Sequence, residues 1–359
     1  MADEDTTRGA ADGARQRIVG PARRPEDEEV SIALRPRSLT EFCGQTQVKE
    51  NLEIALHAAR ARGEALEHVL LTGPPGLGKT SLAHIVAQEM EVPITVTAGP
   101  SIERAGDLVG FLTNLEQGEV LFIDEIHRMP RTVEEKLYSA MEDFRIDIVL
   151  DKGPHARTIS LNLKPFTLIG ATTRPALLTA PMKTRFGIPL HFRFYQVEEL
   201  VRIITRAAEL LHVPLDSPGA QEIASRSRGT PRVANRLLRR VRDYAQVRGD
   251  GSITREAADS ALRMQGVDER GLDDLDRRFL RAIIDFYDGG PVGIEALAAT
   301  LGEETDTLVD VVEPYLLQIG MVGRTRTGRQ ALLEAYRHLG LRSPERPTQA
   351  GLFEASPDE

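Results

Sequence analysis

Residues 73–80, GPPGLGKT, contain the first side chains whose types and spacing could do chemistry. Gly73, Gly78, Lys79 and Thr80 fit the pattern G-x-x-x-x-G-K-[ST], which here follows an apolar run and opens a helical pattern. In such a loop, backbone N–H groups converge on phosphate oxygens, and the positive end of the helix adds to the attraction. The sequence therefore predicts a nucleoside triphosphate site, in which Lys79 neutralises the β- and γ-phosphates and Thr80 ligates Mg²⁺.

Two adjacent carboxylates supply the second part of this chemistry. In VLFIDEIHR, four apolar residues lead directly into Asp124 and Glu125. A strand that ends in a carboxylate beside a phosphate-binding loop is typical of the aspartate that accompanies Mg²⁺. Glu125 could then orient or deprotonate the attacking water. The alternative is that Asp124 and Glu125 are simply solvated acids at the end of a strand, but the nearby phosphate-binding loop favours the catalytic interpretation. We interpret His127 as a structural residue.

The elements that must position these side chains follow from short apolar runs. Four β-prone segments alternate with helical patterns: HVLLTG (68–73), VPITVTA (92–98), EVLFIDE (119–125) and PFTLIGAT (165–172). Buried strands that alternate with helices predict an α/β fold with a mostly parallel sheet. We assign residues 31–195 to this domain.

Bulk composition excludes several classes of protein. The 359 residues are long enough for two or three domains, and 41% hydrophobic with 28% charged residues is typical of a globular protein. The sequence has no run near the roughly 18 apolar residues that span a bilayer, and its acidic start is not typical of a targeting peptide. We therefore expect a cytoplasmic protein without membrane association. A single cysteine, Cys43, excludes an intrachain disulfide.

The second half of the chain has a different character. Helical patterns over residues 196–266 predict a small all-α domain. Residues 267–343 show short helical patterns followed by apolar segments around a Gly-centred turn, which is typical of a winged-helix domain. We expect the polar ends of the chain, residues 1–30 and 344–359, to be disordered.

A β-hairpin is predicted over residues 143–163, DFRIDIVLDKGPHARTISLNL. Ile146, Ile148 and Leu150 alternate onto one face, and Val149 makes the other face apolar near the tip. A ribbon that is apolar on both faces is typical of a docking element. A hairpin folded against its own domain remains the alternative.

Local basic clusters matter because the formal net charge of −9 argues against a whole-surface grip on nucleic acid. GRTRTGR places Arg324, Arg326 and Arg329 around a glycine turn, with no acid between residues 314 and 333. Such a ribbon can lie along a phosphate backbone without reading bases, although a solvated arginine loop remains the alternative. We assign a second basic cluster, residues 226–242, to subunit packing and nucleotide sensing.

Five motifs occur in the order typical of AAA+ ATPases: GPPGLGKT, LFIDEIHR, IGATTRP, TRFGIPL and GTPRVANRLLRRVRD. Their wording resembles the RuvB family, the bacterial motors of Holliday junction branch migration, over about residues 30–343. The resemblance implies ATP and Mg²⁺ as cofactors and a homohexameric ring. It also implies four-way DNA, the junction-binding protein RuvA and a RuvC-type resolvase as partners.

The resemblance also implies roles for individual residues. Thr173 matches the first sensor, Arg185 matches an arginine finger that reaches the neighbouring subunit's nucleotide, and Arg232 matches the second sensor. Arg324 and Arg329 match DNA contacts, and a further position that is basic in some members is Thr305 here. Further nucleotide contacts are implied at Leu34, Arg35, Gly76, Ser81, Glu142, Asp143, Phe144 and Tyr195. The matching hairpin binds RuvA, which implies Ile148, Val149 and Leu150 as its contact surface.

The function predicted from these features is an ATP-driven hexameric motor that translocates duplex DNA in homologous recombination and repair. A replication initiator or clamp-loader subunit is one alternative, but an initiator would need a basic reading helix, which TLVDVVEPYLLQ does not offer. A protein unfoldase is the other. The segment VGFLTN contains Phe111 but lacks the aromatic–hydrophobic–glycine order of an unfoldase pore loop.

Overall fold

The structure is a computed structural model, and it describes residues 33–149 and 158–342. The chain divides between Asp273 and Asp274 into two compact units. The predicted tails and the tip of the predicted hairpin, including Leu150, lie outside the described residues. Among the helices described, none is both long and apolar enough to cross a membrane.

A parallel sheet forms the centre of the first unit. The strands described in this unit are β1 (Val69–Thr72), β2 (Ile94–Ala98), β3 (Val120–Asp124), β4 (Arg145–Val149), β5 (Thr158–Asn162), β6 (Thr167–Thr172) and β7 (Ile188–His191). Five of them form one sheet in the order β2-β3-β6-β1-β7, and all its pairs are parallel. The four predicted strands are confirmed. The edge strand β7 was not predicted, because it is short and proline is unfavourable within strands. Edge positions tolerate Pro189 because one side of the strand makes no ladder hydrogen bonds.

Both faces of the central strands β1, β3 and β6 are buried. Leu71, Phe122 and Ile169 belong to one hydrophobic core, whereas Leu70 and Ile123 belong to another. Neighbouring residues on a strand point to opposite faces, so the continuous apolar runs of the sequence are those of strands covered on both sides. The flanking helices are α1 (Thr46–Arg62), α2 (Lys79–Glu89), α3 (Ala105–Asn114), α4 (Arg131–Asp143) and α5 (Ala180–Arg185).

A helical lid completes the first unit. Its helices are α6 (Val197–Leu210), α7 (Ser217–Ser225), α8 (Pro231–Arg248) and α9 (Arg255–Met264). The sequence pattern predicted helices over this range. Apolar residues recur along α6 at helical spacing from Leu200 to Leu210, but Leu210 is 48% exposed, so the buried stripe ends before it. Leu200, Ile204 and Ala207 of this stripe pack into the same core as one face of the sheet.

A buried arginine links two helices of the lid. The side chain of Arg226 is 2% exposed, and its Nη2 contacts the carboxylates of Glu222 on α7 and Asp259 on α9. Its Nη1 donates to the carbonyl of Val267. The assignment of the basic cluster to subunit packing is therefore wrong for Arg226. Its guanidinium is buried on carboxylate partners inside its own domain and cannot contact another subunit.

The second unit has the predicted winged-helix pattern of short helices followed by a two-stranded ribbon. Its elements are α10 (Asp274–Arg281), a π-helical segment (Ala282–Phe286), α11 (Ile294–Leu301), α12 (Thr305–Thr307), a second π-helical segment (Leu308–Val312), α13 (Glu313–Gln318), β8 (Val322–Arg324), β9 (Arg329–Ala331) and α14 (Leu333–Leu339). β8 and β9 pair antiparallel, with Arg324 directly opposite Arg329. The last helix, α14, was not predicted.

Replacing Arg226 with alanine should destabilise the lid locally. The change leaves the carboxylates of Glu222 and Asp259 without their buried partner, which should cost about 3 kcal/mol of the free energy of opening. Hydrogen exchange of α7 and α9 in urea measures that quantity. Arg263→Ala is the matched control, because Arg263 also contacts Asp259 but is 62% exposed, and exchange should hardly change. Equal protection in Arg226→Ala and the parent protein would contradict this account.

Candidate nucleotide site

Three neighbouring strands of the central sheet bring the predicted catalytic residues together. β3, β6 and β1 are adjacent, and β3 ends at Asp124 while β1 ends at Thr72, just before the phosphate-binding loop. Thr173 directly follows β6. Because parallel strands have their carboxyl ends at one edge of the sheet, the loop, the acid pair and Thr173 meet there.

Glycine is required at both ends of the phosphate-binding loop. Gly73 has a φ of 140°, and a Cβ atom there would lie 2.7 Å from the carbonyl oxygen of Phe192. Gly78 has a φ of 99° and precedes the first residue of α2. This left-handed backbone favours glycine. It lets the loop run directly into the helix N-terminus, where unpaired N–H groups attract anions.

Lys79 is buried within this loop. Its Nζ donates to the carbonyl oxygens of Gly73 at 2.8 Å and Pro74 at 2.9 Å. Burial lowers the pKa of Lys79 to about 8; the charges of Asp124 and Glu125 oppose this shift. The charge of Arg232 lowers the pKa further. Phosphate oxygens would favour the charged amine, so ligand binding and protonation of Lys79 should be coupled.

The carboxylate of Glu125 is held by Thr173, which follows the neighbouring strand β6, and by His127 of its own segment. Thr173 donates from Oγ1 to Oε2 of Glu125 at 3.1 Å, and Nδ1 of His127 lies 3.2 Å from the same oxygen. His127 also contacts the hydroxyl of Thr172 at 2.8 Å. The backbone of Glu125 is left-handed, with a φ of 50°. The predicted first sensor thus contacts the predicted base, and the strained backbone is typical of functional sites.

A cavity of about 510 Å³ lies over the loop and the acid pair. Predicted residues that line it are Leu34, Arg35, Gly76, Gly78, Lys79, Thr80, Ser81, Asp124, Glu125, Thr173, Tyr195 and Arg232. Arg236 and Arg239, from the basic cluster assigned to subunit packing and nucleotide sensing, also line it, and so does Cys43. Phe42, Ile203 and Arg206 line it as well and had no predicted role. The only signal for Ile203 and Arg206 was their position in the helical patterns of the lid, which does not say which face meets a ligand.

The lid and the segment that leads into it contact the phosphate-binding loop directly. The backbone N–H of Arg232 donates to the carbonyl of Gly76 at 3.3 Å, and the hydroxyl of Tyr195 donates to the carbonyl of Leu77 at 3.1 Å. Burial raises the pKa of Tyr195, so it stays a neutral donor. From α6, Arg206 donates to the carbonyl of Leu34. This hydrogen bond links the segment of the predicted nucleotide contacts Leu34 and Arg35 to the lid.

These residues fit a nucleoside triphosphate with Mg²⁺. The hydroxyl of Thr80 and the carboxylate of Asp124 are oxygen ligands of the kind that Mg²⁺ prefers. Among the described residues no group of three or more His, Cys, Asp or Glu side chains could hold a metal by itself. A magnesium site here would therefore need phosphate oxygens as further ligands, as is usual for this ion.

The comparisons with known proteins agree with this geometry over nearly the whole chain. The model of the Holliday junction DNA helicase RuvB P-loop domain matches residues 34–192. The RuvB AAA lid domain matches residues 195–268, and the RuvB C-terminal winged helix domain matches residues 269–340. The chain belongs to the RuvB family. The three RuvB matches do not favour the initiator, clamp-loader or unfoldase alternatives.

Individual RuvB proteins are closely similar to this chain. The chain is 55% identical over 356 residues to the Holliday junction branch migration complex subunit RuvB of Streptomyces avermitilis, and the alignment covers 98% of this chain and 99% of the relative. The solved Thermotoga maritima RuvB Holliday junction branch migration motor has a TM-score of 0.80 and 51% identity, covering 87% of this chain and 100% of that one. A RuvB mutant of the same organism has a TM-score of 0.81 and 52% identity, and the match covers 87% of this chain and 99% of that one.

Four residues with predicted nucleotide roles lie away from the cavity of their own chain: Glu142, Asp143, Phe144 and Arg185. The guanidinium of Arg185 lies 4.4 Å from the ring centroid of Tyr138 and pairs with Glu142 at 3.2 Å. Its Nε is buried and has no hydrogen-bond partner. Phe144 packs against Phe166 in an aromatic cluster, so it serves the core of the domain.

The hairpin predicted to dock a partner is partly folded against its own domain. Its strands β4 and β5 pair antiparallel, and Ile146 at its base is fully buried in the core beneath α4. Ile146 therefore belongs to the core of the first unit and not to a docking surface. Ile148 is half-buried, whereas the side chain of Val149 lies, with Leu150, outside the described residues.

The arginines predicted to contact DNA lie on the ribbon of the second unit. Arg324 ends β8 and Arg329 begins β9. Both guanidiniums bind the carboxylate of Glu313, which is fully buried. Residues 314–333 contain no acid, but Glu313 lies directly before them in the sequence, and in the fold it contacts both arginines of the ribbon.

Nucleotide binding should take up protons at alkaline pH. Lys79 of the free protein loses its proton as the pH rises through about 8, whereas phosphates in the cavity restore it. Near pH 9, binding should therefore take up about one proton per site, and the dissociation constant should rise by up to about tenfold per pH unit above pH 8. Calorimetric titration in buffers of different ionisation enthalpy measures the uptake.

Lys79→Arg is the control, since it keeps the positive charge but does not titrate in this range. Its proton uptake should be close to zero. The same uptake in both proteins would show that another group is responsible.

Proposed function

We propose that this chain is an ATP-driven motor that moves duplex DNA and branch-migrates Holliday junctions. The names of its RuvB relatives state Holliday junction branch migration for those proteins. The observation that carries the proposal is the contact of Arg232 on the lid with Gly76 of the phosphate-binding loop. A change in the nucleotide alters this contact and can therefore move the lid as a body. Family membership supports the assignment of that motion to DNA.

The residues of the cavity divide the chemistry of ATP hydrolysis among them. Lys79 neutralises phosphate charge, and Thr80 and Asp124 would hold Mg²⁺, which when bound stabilises the charge that develops on the transferred phosphoryl group. Glu125 orients the attacking water and accepts its proton. Thr173 fixes the Glu125 carboxylate and so sets the direction of that proton transfer.

We place Arg185 at the site of a neighbouring subunit. The support is its position outside the cavity of its own chain and its Nε, which is buried without an acceptor. A guanidinium spreads positive charge over the transferring phosphate, and such a residue is worth about 10³–10⁵ in rate. Glu142, which pairs with Arg185, and the exposed Asp143 beside it in the sequence belong to the same proposed interface. Head-to-tail contacts of this kind close into rings, and we propose a homohexamer.

The partners follow from the second unit and the hairpin. Arg324 and Arg329 would contact the phosphates of duplex DNA, which needs no particular base sequence. The hairpin tip, with Ile148, Val149 and Leu150, would dock RuvA, and a RuvC-type resolvase would act in the same complex. We place this assembly in the cytoplasm.

Junction processing should depend on the two ribbon arginines. The double variant Arg324→Ala/Arg329→Ala should lose ATP-dependent dissociation of a synthetic four-way junction by at least about tenfold, because phosphate contacts supply most of sequence-independent binding. Dissociation is measured with and without RuvA, and ATP hydrolysis without DNA is followed in parallel as a readout of the cavity.

Arg337→Ala/Arg342→Ala removes the same charge from exposed positions of the second unit and should retain junction activity. No junction dissociation by the parent protein with RuvA, under conditions where it hydrolyses ATP, would overturn the proposed function.

A further inference from the structure

Two positive charges face each other across the ribbon. The register of β8 and β9 pairs Arg324 with Arg329, and only residues 325–328 separate them along the chain. Like charges directly opposite on antiparallel strands repel and destabilise the pairing. The ribbon therefore needs a compensating negative charge that touches both arginines.

Glu313 supplies this charge from α13. Its Oε1 accepts from Nε of Arg324 at 2.8 Å and from Nε of Arg329 at 2.9 Å. Its Oε2 accepts from Nη2 of Arg324 at 2.6 Å and from Nη2 of Arg329 at 3.2 Å. Each guanidinium thus makes the two-pronged contact that gives arginine–carboxylate pairs both strength and a fixed geometry. One carboxylate sets the direction of both side chains.

The burial of Glu313 makes this arrangement rigid. The Glu313 side chain is 0% exposed, so a solvent-exposed alternative conformation would require the ribbon to open. Burial pushes the pKa of Glu313 upward, but hydrogen bonds and charges from Arg324 and Arg329 outweigh this effect and hold the pKa below its ordinary value. The carboxylate therefore stays ionised at neutral pH.

The two arginines keep capacity for a second anion. A guanidinium has five N–H donors, and Glu313 takes one from Nε and one from Nη2 in each case. The three charged side chains together retain a net positive charge. Arg324 is 53% exposed and Arg329 is 19% exposed, so both still reach the solvent.

The cost of ordering long side chains explains what such a carboxylate achieves. An unrestrained arginine samples many rotamers, and fixing it on a ligand lowers the affinity. A guanidinium that is already fixed loses less on binding phosphate. The same carboxylate also lowers the net charge of the ribbon, which by itself weakens attraction to DNA. The two effects of Glu313 on DNA affinity have opposite signs.

We infer that Glu313 is a positioning residue of the DNA-binding ribbon, which holds Arg324 and Arg329 side by side so that both meet the phosphate backbone at once. This inference rests on the proposed function, in which the two arginines contact DNA. Its consequence is that a negatively charged residue increases the affinity of this protein for a polyanion.

The test is the sign of the change in Glu313→Gln. This variant adds one positive charge relative to the parent protein, so a role limited to neutralising charge predicts tighter DNA binding. Positioning predicts about tenfold weaker binding, the size expected when two long side chains lose their fixed conformation. Fluorescence anisotropy of a labelled duplex of random sequence, with the full chain and at several salt concentrations, measures both the affinity and its salt dependence.

Two further variants separate positioning from folding and from charge. Glu295→Gln removes an exposed acid of the same unit and should leave binding unchanged or slightly tighter. Glu313→Asp keeps the negative charge, but its shorter side chain withdraws the carboxylate and cannot keep all four hydrogen bonds to the two guanidiniums in place. Positioning predicts weaker binding and a smaller salt slope for Glu313→Asp, and a loss of folded protein alone would not change that slope.

The outcomes also distinguish the inference from the function on which it rests. If Arg324→Ala/Arg329→Ala binds the duplex as well as the parent protein, the ribbon is not the DNA contact and the proposed function fails. If that double variant loses binding while Glu313→Gln or Glu313→Asp binds as tightly as the parent protein or more tightly, the function stands and the positioning role is overturned.

Discussion

The balance of charge around the triphosphate is the constraint on which the rest of the first unit depends. Asp124 and Glu125 lie in the same cavity as the phosphates would, so positive groups must offset two carboxylates as well as the ligand. Lys79 and Arg232 come from the loop and from the lid, and both line this cavity. Arg185 does not. Positive groups from the loop and from the lid thus meet at one cavity, and under the proposed function a change of nucleotide there would move the lid.

Arginines with carboxylate partners divide into structural and functional ones by exposure. The Arg226 side chain is 2% exposed, and its N–H groups donate hydrogen bonds to groups inside the lid. Arg324 is also held by a carboxylate but is 53% exposed, and Arg185 at 20% has one buried nitrogen without an acceptor. In the last two cases the carboxylate fixes the guanidinium while donors stay available. Under the proposed function, the nucleotide chemistry and the DNA contact would use the same arrangement of a carboxylate and an arginine in two units.

The sequence predicted what depends on local spacing. The glycines around Lys79, the acids after β3 and the strand pattern are contiguous, so the cavity residues of the sheet edge could be named beforehand. Contacts between distant segments could not be named. Glu313 lies 11 residues from Arg324, Arg226 meets Asp259 across 33 residues, and the buried position of Ile146 depends on the helix that covers it. Periodicity identifies an apolar face but not the partner that it packs against.

The central claim is that each nucleotide site is completed by Arg185 of another subunit, and a mixing experiment tests it most directly. Lys79→Met and Arg185→Ala should each be inactive alone, but a one-to-one mixture should regain ATP hydrolysis, since about a quarter of the interfaces combine both intact residues. Lys79→Met mixed with Glu125→Gln should stay inactive, because those two defects lie in one chain's cavity. A first mixture as inactive as the second would contradict the claim.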